Sequence, residues 1–391
     1  MERESFFMTV FEQQNYTFAA QLFEQTMSNL GIITLDEWEK RTDAALLWIR
    51  RSIEATGGKG SAHSWHPLFG WSKAYPETTG YLIETLLDYA ECKQDESLRV
   101  LAFSCVNWLE TIQLPSGAFA GLLAGNSKPS VFNTSQILFG LTNISVAHFK
   151  SVPHLNEQGP SERAVSWLLS NLDSDGAWRA HSFVPGFVPS YYTRAVWGVL
   201  HANDSLKNPE VEGLMRHSLH FFAERFLPNG AVKDWGFRLG EAAFTHTLVY
   251  TLEGFWESAK RLGEQAIIDK TIASLERLLA ERARAGGRTA GRYDEAWKGD
   301  YSFLCITGNC QLSMLCSKLW KHTGEPKFRE AASSFLTEII GFQKLSANKN
   351  SFGALPGSAP FWGAYLPFRY PNWAAKFFLD AVSRNAVSGQ F

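Results

Sequence analysis

The chain has 391 residues, 45% of them hydrophobic and 19% charged, with a formal charge of −2. So small a net charge argues against a general nucleic-acid or anionic-membrane surface. No apolar run is long enough to span a bilayer, and five irregularly spaced cysteines make no disulfide framework.

The opening stretch, MERESFFMTVFEQQ, carries charge and lacks the apolar core and cleavage site of a secretory signal. A cytoplasmic protein is therefore expected, with residues 1–34 as an N-terminal helical extension. From residue 35 two kinds of helix alternate. Leu35–Glu54, Ser97–Thr111, Ser161–Asn171, Val211–Phe226 and Ile268–Arg284 bring apolar residues back at three- and four-residue spacing with charges between. That pattern buries one face. The runs TGYLIETLLDYA, TSQILFGLTNISVA, TRAVWGVLHA, HTLVYTLEGFWESA, GNCQLSMLCSKLW and NWAAKFFLDAV are apolar nearly all round, as helices buried on both sides must be.

The openings of the second set recur. With Thr78, Thr134, Thr193, His246, Thr307 and Asn372 as markers, the steps are 56, 59, 53, 61 and 65 residues. Such a period suits a helical hairpin plus a loop, repeated. Glycine-bearing turns (LPSGAF, DSDGAW, LPNGAV, ALPGSAPFWG) precede these openings. Six units with an amphipathic outer and an apolar inner helix predict an all-α fold, an (α/α)6 toroid. No linker divides residues 1–391, so one domain is expected. In a ring of this kind the inner-helix N-termini converge on one funnel, and free N–H groups there favour anionic or hydroxyl-rich ligands.

The segments Gln113-x-x-x-Gly117-x-Phe119 and Asp173-Ser-Asp-Gly-Ala-Trp178 resemble the glycine–aromatic repeats of squalene cyclases and protein prenyltransferase β-subunits. YPETTGYLIETLL, CITGNCQLS and YPNWAAKFFLDA are similar to the prenyltransferase-like toroid proteins of bacterial exopolysaccharide pathways. The resemblance implies the toroid fold. Its chemistries are a different matter. Asp173-Ser-Asp175-Gly lies in a repeat turn and is not a terpene-cyclase DxDD segment; no DDxxD segment exists to hold a diphosphate. GDYSFLC (299–305) has no His-bearing partner for a prenyltransferase zinc, and Cys305, Cys310, Cys316 and His322 lack C-x-x-C spacing. No metal and no cofactor is expected.

The funnel set read from the helix openings is Glu77, Asn133, Tyr192, Arg194, His246 and Asp300. In kind, though not in motif, these residues resemble those of toroid polysaccharide lyases of the chondroitin and hyaluronan type. The expected partner is an oligosaccharide or polysaccharide containing uronic acid. Arg194 and Asn133 would neutralise the uronate carboxylate, and His246 or Tyr192 would move the C5 proton. Reprotonation gives an epimer; loss of the 4-substituent gives a lyase product. Two alternatives stay open. One is glycoside hydrolysis by a carboxylate pair, Glu77 with Asp300 first, then Asp234, Glu241, Asp294 or Glu295. The other is a non-enzymatic glycan-binding role. Trp71, Tyr75, Trp235, Trp297, Tyr301, Asn309, Trp362, Tyr365, Asn372 and Trp373 are candidates for binding the sugar. For each residue alone, helix capping or core packing is the competing account.

Overall fold

The computed structural model describes residues 35–142, 159–346 and 348–387. The expected N-terminal extension, residues 1–34, lies outside them. Twelve α-helices alternate outer and inner among the described residues. They pair as α1 (Leu35–Glu54) with α2 (Pro76–Cys92), α3 (Glu96–Ile112) with α4 (Val131–Thr142), and α5 (Pro160–Ser170) with α6 (Thr193–Leu206). The remaining pairs are α7 (Pro209–Ala223) with α8 (Thr245–Leu262), α9 (Gln265–Arg284) with α10 (Ile306–Thr323), and α11 (Pro326–Ile340) with α12 (Asn372–Val387). The chain is an all-α toroid of six helical hairpins.

Helix character follows from which faces are buried. In α1, Trp38, Ala45, Trp48, Ile49 and Ile53 share the buried face, and Asp36, Glu37 and Arg51 complement the helix dipole at its two ends. Trp48 is wholly buried, and truncating it to alanine would cost about 3–5 kcal/mol. In α4, every residue from Val131 to Leu141 is buried. Each inner helix packs against the next, and α12 returns to α2.

Ring closure depends on one position without a side chain. Gly353 sits at φ 86°, and a Cβ there would fall 1.8 Å from the Ala44 carbonyl oxygen of α1. Any larger residue would push the last loop off the first helix. Short strands clip neighbouring loops together at the same end. Strand β1 (Ser64–His66) pairs antiparallel with β2 (Gly70–Trp71) and with β8 (Tyr370–Pro371), which joins the first loop to the last. Between them in sequence, β3 (Ala243–Phe244), β4 (Arg292–Tyr293) and β5 (Gly299–Asp300) make a second sheet, and β6 (Leu304–Cys305) pairs with β7 (Ser358–Ala359).

Candidate active site

A cavity of about 460 Å³ opens where the inner helices begin. Its walls come from the first two turns of α2, α4, α8 and α12 and from the loops that lead into them and into α6.

Glu77 enters from α2. Pro76 fixes the first helical position, and the Thr79 hydroxyl ties back to the Tyr75 carbonyl at 2.8 Å, so the turn is held from both sides. The Tyr75 hydroxyl donates to Glu77 Oε2 at 2.7 Å. Burial pushes the Glu77 carboxyl up to about 7, against the opposing pull of that hydrogen bond and of the Arg194 charge. Near neutral pH the group is therefore poised between acid and base.

His246 enters from α8, three units away in a six-unit ring, and so from the opposite wall. Thr245 anchors this helix start to the Ala290 carbonyl at 2.6 Å. Gly308 of α10 lies so close that a Cβ would sit 2.8 Å from the His246 backbone nitrogen. That approach brings Gln311, one turn further along α10, to 2.9 Å from His246 Nδ1. With Gln311 Oε1 as acceptor, Nδ1 carries the proton and Nε2 keeps its lone pair. Burial lowers the imidazole to about 3, with Gln311 opposing and Arg194 assisting. The unliganded ring is neutral.

An aromatic wall joins the two. His246 lies 4.2 Å from the Tyr250 ring and 5.3 Å from Tyr365, centroid to centroid. Trp373 donates its indole N–H to the Tyr365 hydroxyl at 3.0 Å, which leaves the phenol its own proton to offer. Trp373 in turn contacts Tyr75 at 5.8 Å and His63 at 4.7 Å. Burial, together with the Glu77 charge, holds the Tyr75 phenol well above its ordinary value, so it acts as a donor. Asn133 is on the wall too, its amide 3.4 Å from the Ala120 carbonyl. Lys128 stands exposed at the rim.

Other expected residues lie elsewhere. Arg194 is buried, but Glu253 and Gln136 engage its guanidinium and the Tyr250 ring covers it at 4.2 Å. The carboxylate it needs is the protein's own, and it does not line the cavity. Tyr192 is packed against Phe132 outside the lining, whereas its neighbour Tyr191 is part of it. Asp300, on β5, is bound to Arg292 of β4 and to Ser302, and the Ser302 hydrogen bond holds its carboxyl low. It is not part of the lining that holds Glu77, and neither are Asp234, Glu241, Asp294 and Glu295.

Several aromatic candidates turn out to be packing residues. Trp235 and Trp297 are buried edge to face at 5.2 Å, and Trp71 packs on Trp48 at 4.5 Å. Tyr301 lies beneath Arg288, Asn309 donates to Glu338 and Asn372 to the Ala62 carbonyl. Trp362 is exposed and is not part of the lining. Of the sugar-binding candidates, Tyr75, Tyr365 and Trp373 line it.

Sequence reading missed His63, Tyr81, Tyr250 and Lys128. Tyr81 and Tyr250 follow Glu77 and His246 by four residues, the spacing that puts two side chains on one helix face. His63 and Lys128 carry no such local sign. Among the described residues no group of three His, Cys, Asp or Glu is arranged to hold a metal ion. Cys305, Cys310 and Cys316 are buried, and burial raises each thiol.

No protein-family model and no curated protein matches the sequence. Solved structures do. An unsaturated glucuronyl hydrolase specific for heparin aligns with a TM-score of 0.70 at 15% identity, covering 91% of this chain and 99% of its own. A D-mannose isomerase gives 0.69 at 10% identity (91% and 98%), and a sugar epimerase from a ruminal bacterium 0.66 at 11% (90% and 99%). At these identities the likeness carries the fold: the chain is an α/α toroid along nearly its whole length.

Proposed function

We propose that this protein is a carbohydrate-active enzyme that moves the C5 proton of a uronic-acid residue, as an epimerase with Glu77 and His246 as its acid/base pair. One observation carries the reading: the two groups line one cavity, on inner helices three units apart in a six-unit ring. A proton taken from one face of a sugar is then returned to the other, which inverts the carbon. In the first half-reaction the base bonds the C5 proton, and the C–H electrons delocalise into the carboxylate as an enediolate. The Tyr365 phenol, kept protonated by burial and accepting from Trp373, donates its proton to that charge, and Lys128 favours entry of an anion. A uronate beside His246 also offsets the burial penalty on the imidazolium and restores its basicity.

The fold neighbours support the substrate class, since they include enzymes named for a glucuronyl hydrolase and a sugar epimerase. A place in an exopolysaccharide system is compatible with this chemistry.

A second reading rests on the composition of the lining. Among the described residues that form it, Glu77 is the one carboxylate. Hydrolysis astride a glycosidic bond needs two. Protonating the C4=C5 double bond of an unsaturated uronide needs a single acid near neutrality, with water completing the addition.

Incubation with uronate oligosaccharides in deuterated water separates these outcomes. Epimerisation gives deuterium at C5 with no change in the ultraviolet absorbance of the unsaturated uronate. A lyase raises that absorbance; action on an unsaturated uronide lowers it. Binding without exchange over a panel of uronates would remove the enzyme assignment.

A further inference from the structure

We infer that the loop end of the toroid is a docking surface for an anionic lipid bilayer, which it meets mouth first. This goes beyond the reaction proposed above and is independent of it. Among the described residues eleven large apolar side chains are exposed, and eight lie in the loops that surround the cavity mouth. They come from five of the six loops, so they encircle the opening. Phe69 is 79% exposed, Leu239 73% and Leu68 66%.

These three lie outside the cavity lining and make no wall for a sugar. Soluble chains seldom gather so many exposed apolar side chains at one end unless a partner covers them.

Backbone geometry supports the same conclusion. Leu122 and Phe368 are exposed and also held at φ 63° and 58°, a region that bulky residues avoid. Glycine or asparagine would suit those positions better in both conformation and solvation. Retaining bulky apolar residues there costs stability, which is the pattern of a functional constraint.

Charge selects the kind of partner. The six loops at this end carry an excess of Lys and Arg over Asp and Glu, although the whole chain is at −2. Arg369 adjoins Phe368 and Arg238, paired with Glu241 at 3.4 Å, adjoins Leu239, while Lys73 and Lys128 lie within about five residues of Phe69 and Leu123. Apolar side chains that reach the acyl boundary, ringed by basic groups, are what an anionic membrane surface recognises.

The test is co-sedimentation of the full chain with vesicles of phosphatidylcholine alone and of phosphatidylcholine mixed with phosphatidylglycerol. Binding is expected to the mixed vesicles and to weaken with salt. Phe69→Ser and Leu239→Ser should each weaken it about tenfold, from the loss of buried apolar area. Val100→Ser, an equally exposed site on outer helix α3, should not. Circular dichroism confirms that each variant keeps its helices. No binding to the mixed vesicles at low salt would overturn the inference, as would equal loss with Val100→Ser. So would a dimer dispersed by Phe69→Ser with no vesicle binding, since a second copy would then be the occupant.

Discussion

The two ends of the toroid are built from the same helices and solve different problems. Where inner helices pass to outer ones, the described connections are two or three residues long, with Lys207, Gly263 and Gly324 as left-handed helix caps. Pro209 and Pro326 start the following helices. Ion pairs close this end: Lys93 with Asp43 at 2.8 Å, Arg261 with Asp204 at 3.4 Å, and Lys318 between Glu253 and Glu257 at 2.7 and 2.6 Å.

At the opposite end the connections are long loops that carry the cavity, the left-handed Leu122 and Phe368, and the exposed apolar rim. The long loops also pair charges internally, as in Arg179 with Asp175 and Arg292 with Asp300, while Lys128 stands exposed at the cavity rim. A helical ring can thus be rigid at one end and specialised at the other.

Glu253→Ala attacks the buried ion-pair network inside the ring and should have the largest effect. It leaves Arg194 buried without its carboxylate and Lys318 with Glu257 alone, at a cost of about 3–5 kcal/mol. A sharply lower melting temperature is expected, and an unchanged one would refute the structural role given to this network. Glu77→Gln and His246→Ala attack the open end instead. Each should lower C5 exchange about 10²–10⁴-fold while circular dichroism shows the helical fold retained. If either variant retains turnover, the two-wall mechanism fails.

The pH dependence of stability sharpens the contrast. Glu77 has a raised carboxyl, so the folded chain holds this proton more tightly than the unfolded one. Its contribution is fully present below the ordinary value of 4.5 and is lost as pH rises to about 7. Glu77→Gln should therefore melt higher than the parent above neutrality, by up to about 3 kcal/mol in stability, and close to it at acid pH. Thermal melts across pH decide this; a constant difference would contradict the burial argument. Asp300→Asn should do least. Turnover within about twofold is expected, because this carboxylate binds Arg292 and Ser302 in a loop outside the cavity.

How much was legible depended on the range of the signal. Helix pairs were readable because each records a local burial pattern: Trp38, Ala45, Ile49 and Ile53 at helical spacing, or the unbroken apolar run of α4. Residues at helix openings were readable as a class, and Glu77, Asn133, His246 and Trp373 do line the cavity. Telling them from Arg194, Asp300 or Asn309 required knowing which partners arrive from elsewhere in the chain. Glu253 is 59 residues from Arg194, and nothing near either residue announces the pair.

The sequence alone determined the architecture, because hydrophobic periodicity and a recurring loop pattern leave a six-unit ring as the economical way to bury every apolar face. Tertiary structure alone decided which polar side chains are free for chemistry and where charge and exposed apolar area collect. Both depend on contacts between units some sixty residues apart, and on a net charge near zero that conceals a basic, apolar mouth opposite an end closed by ion pairs.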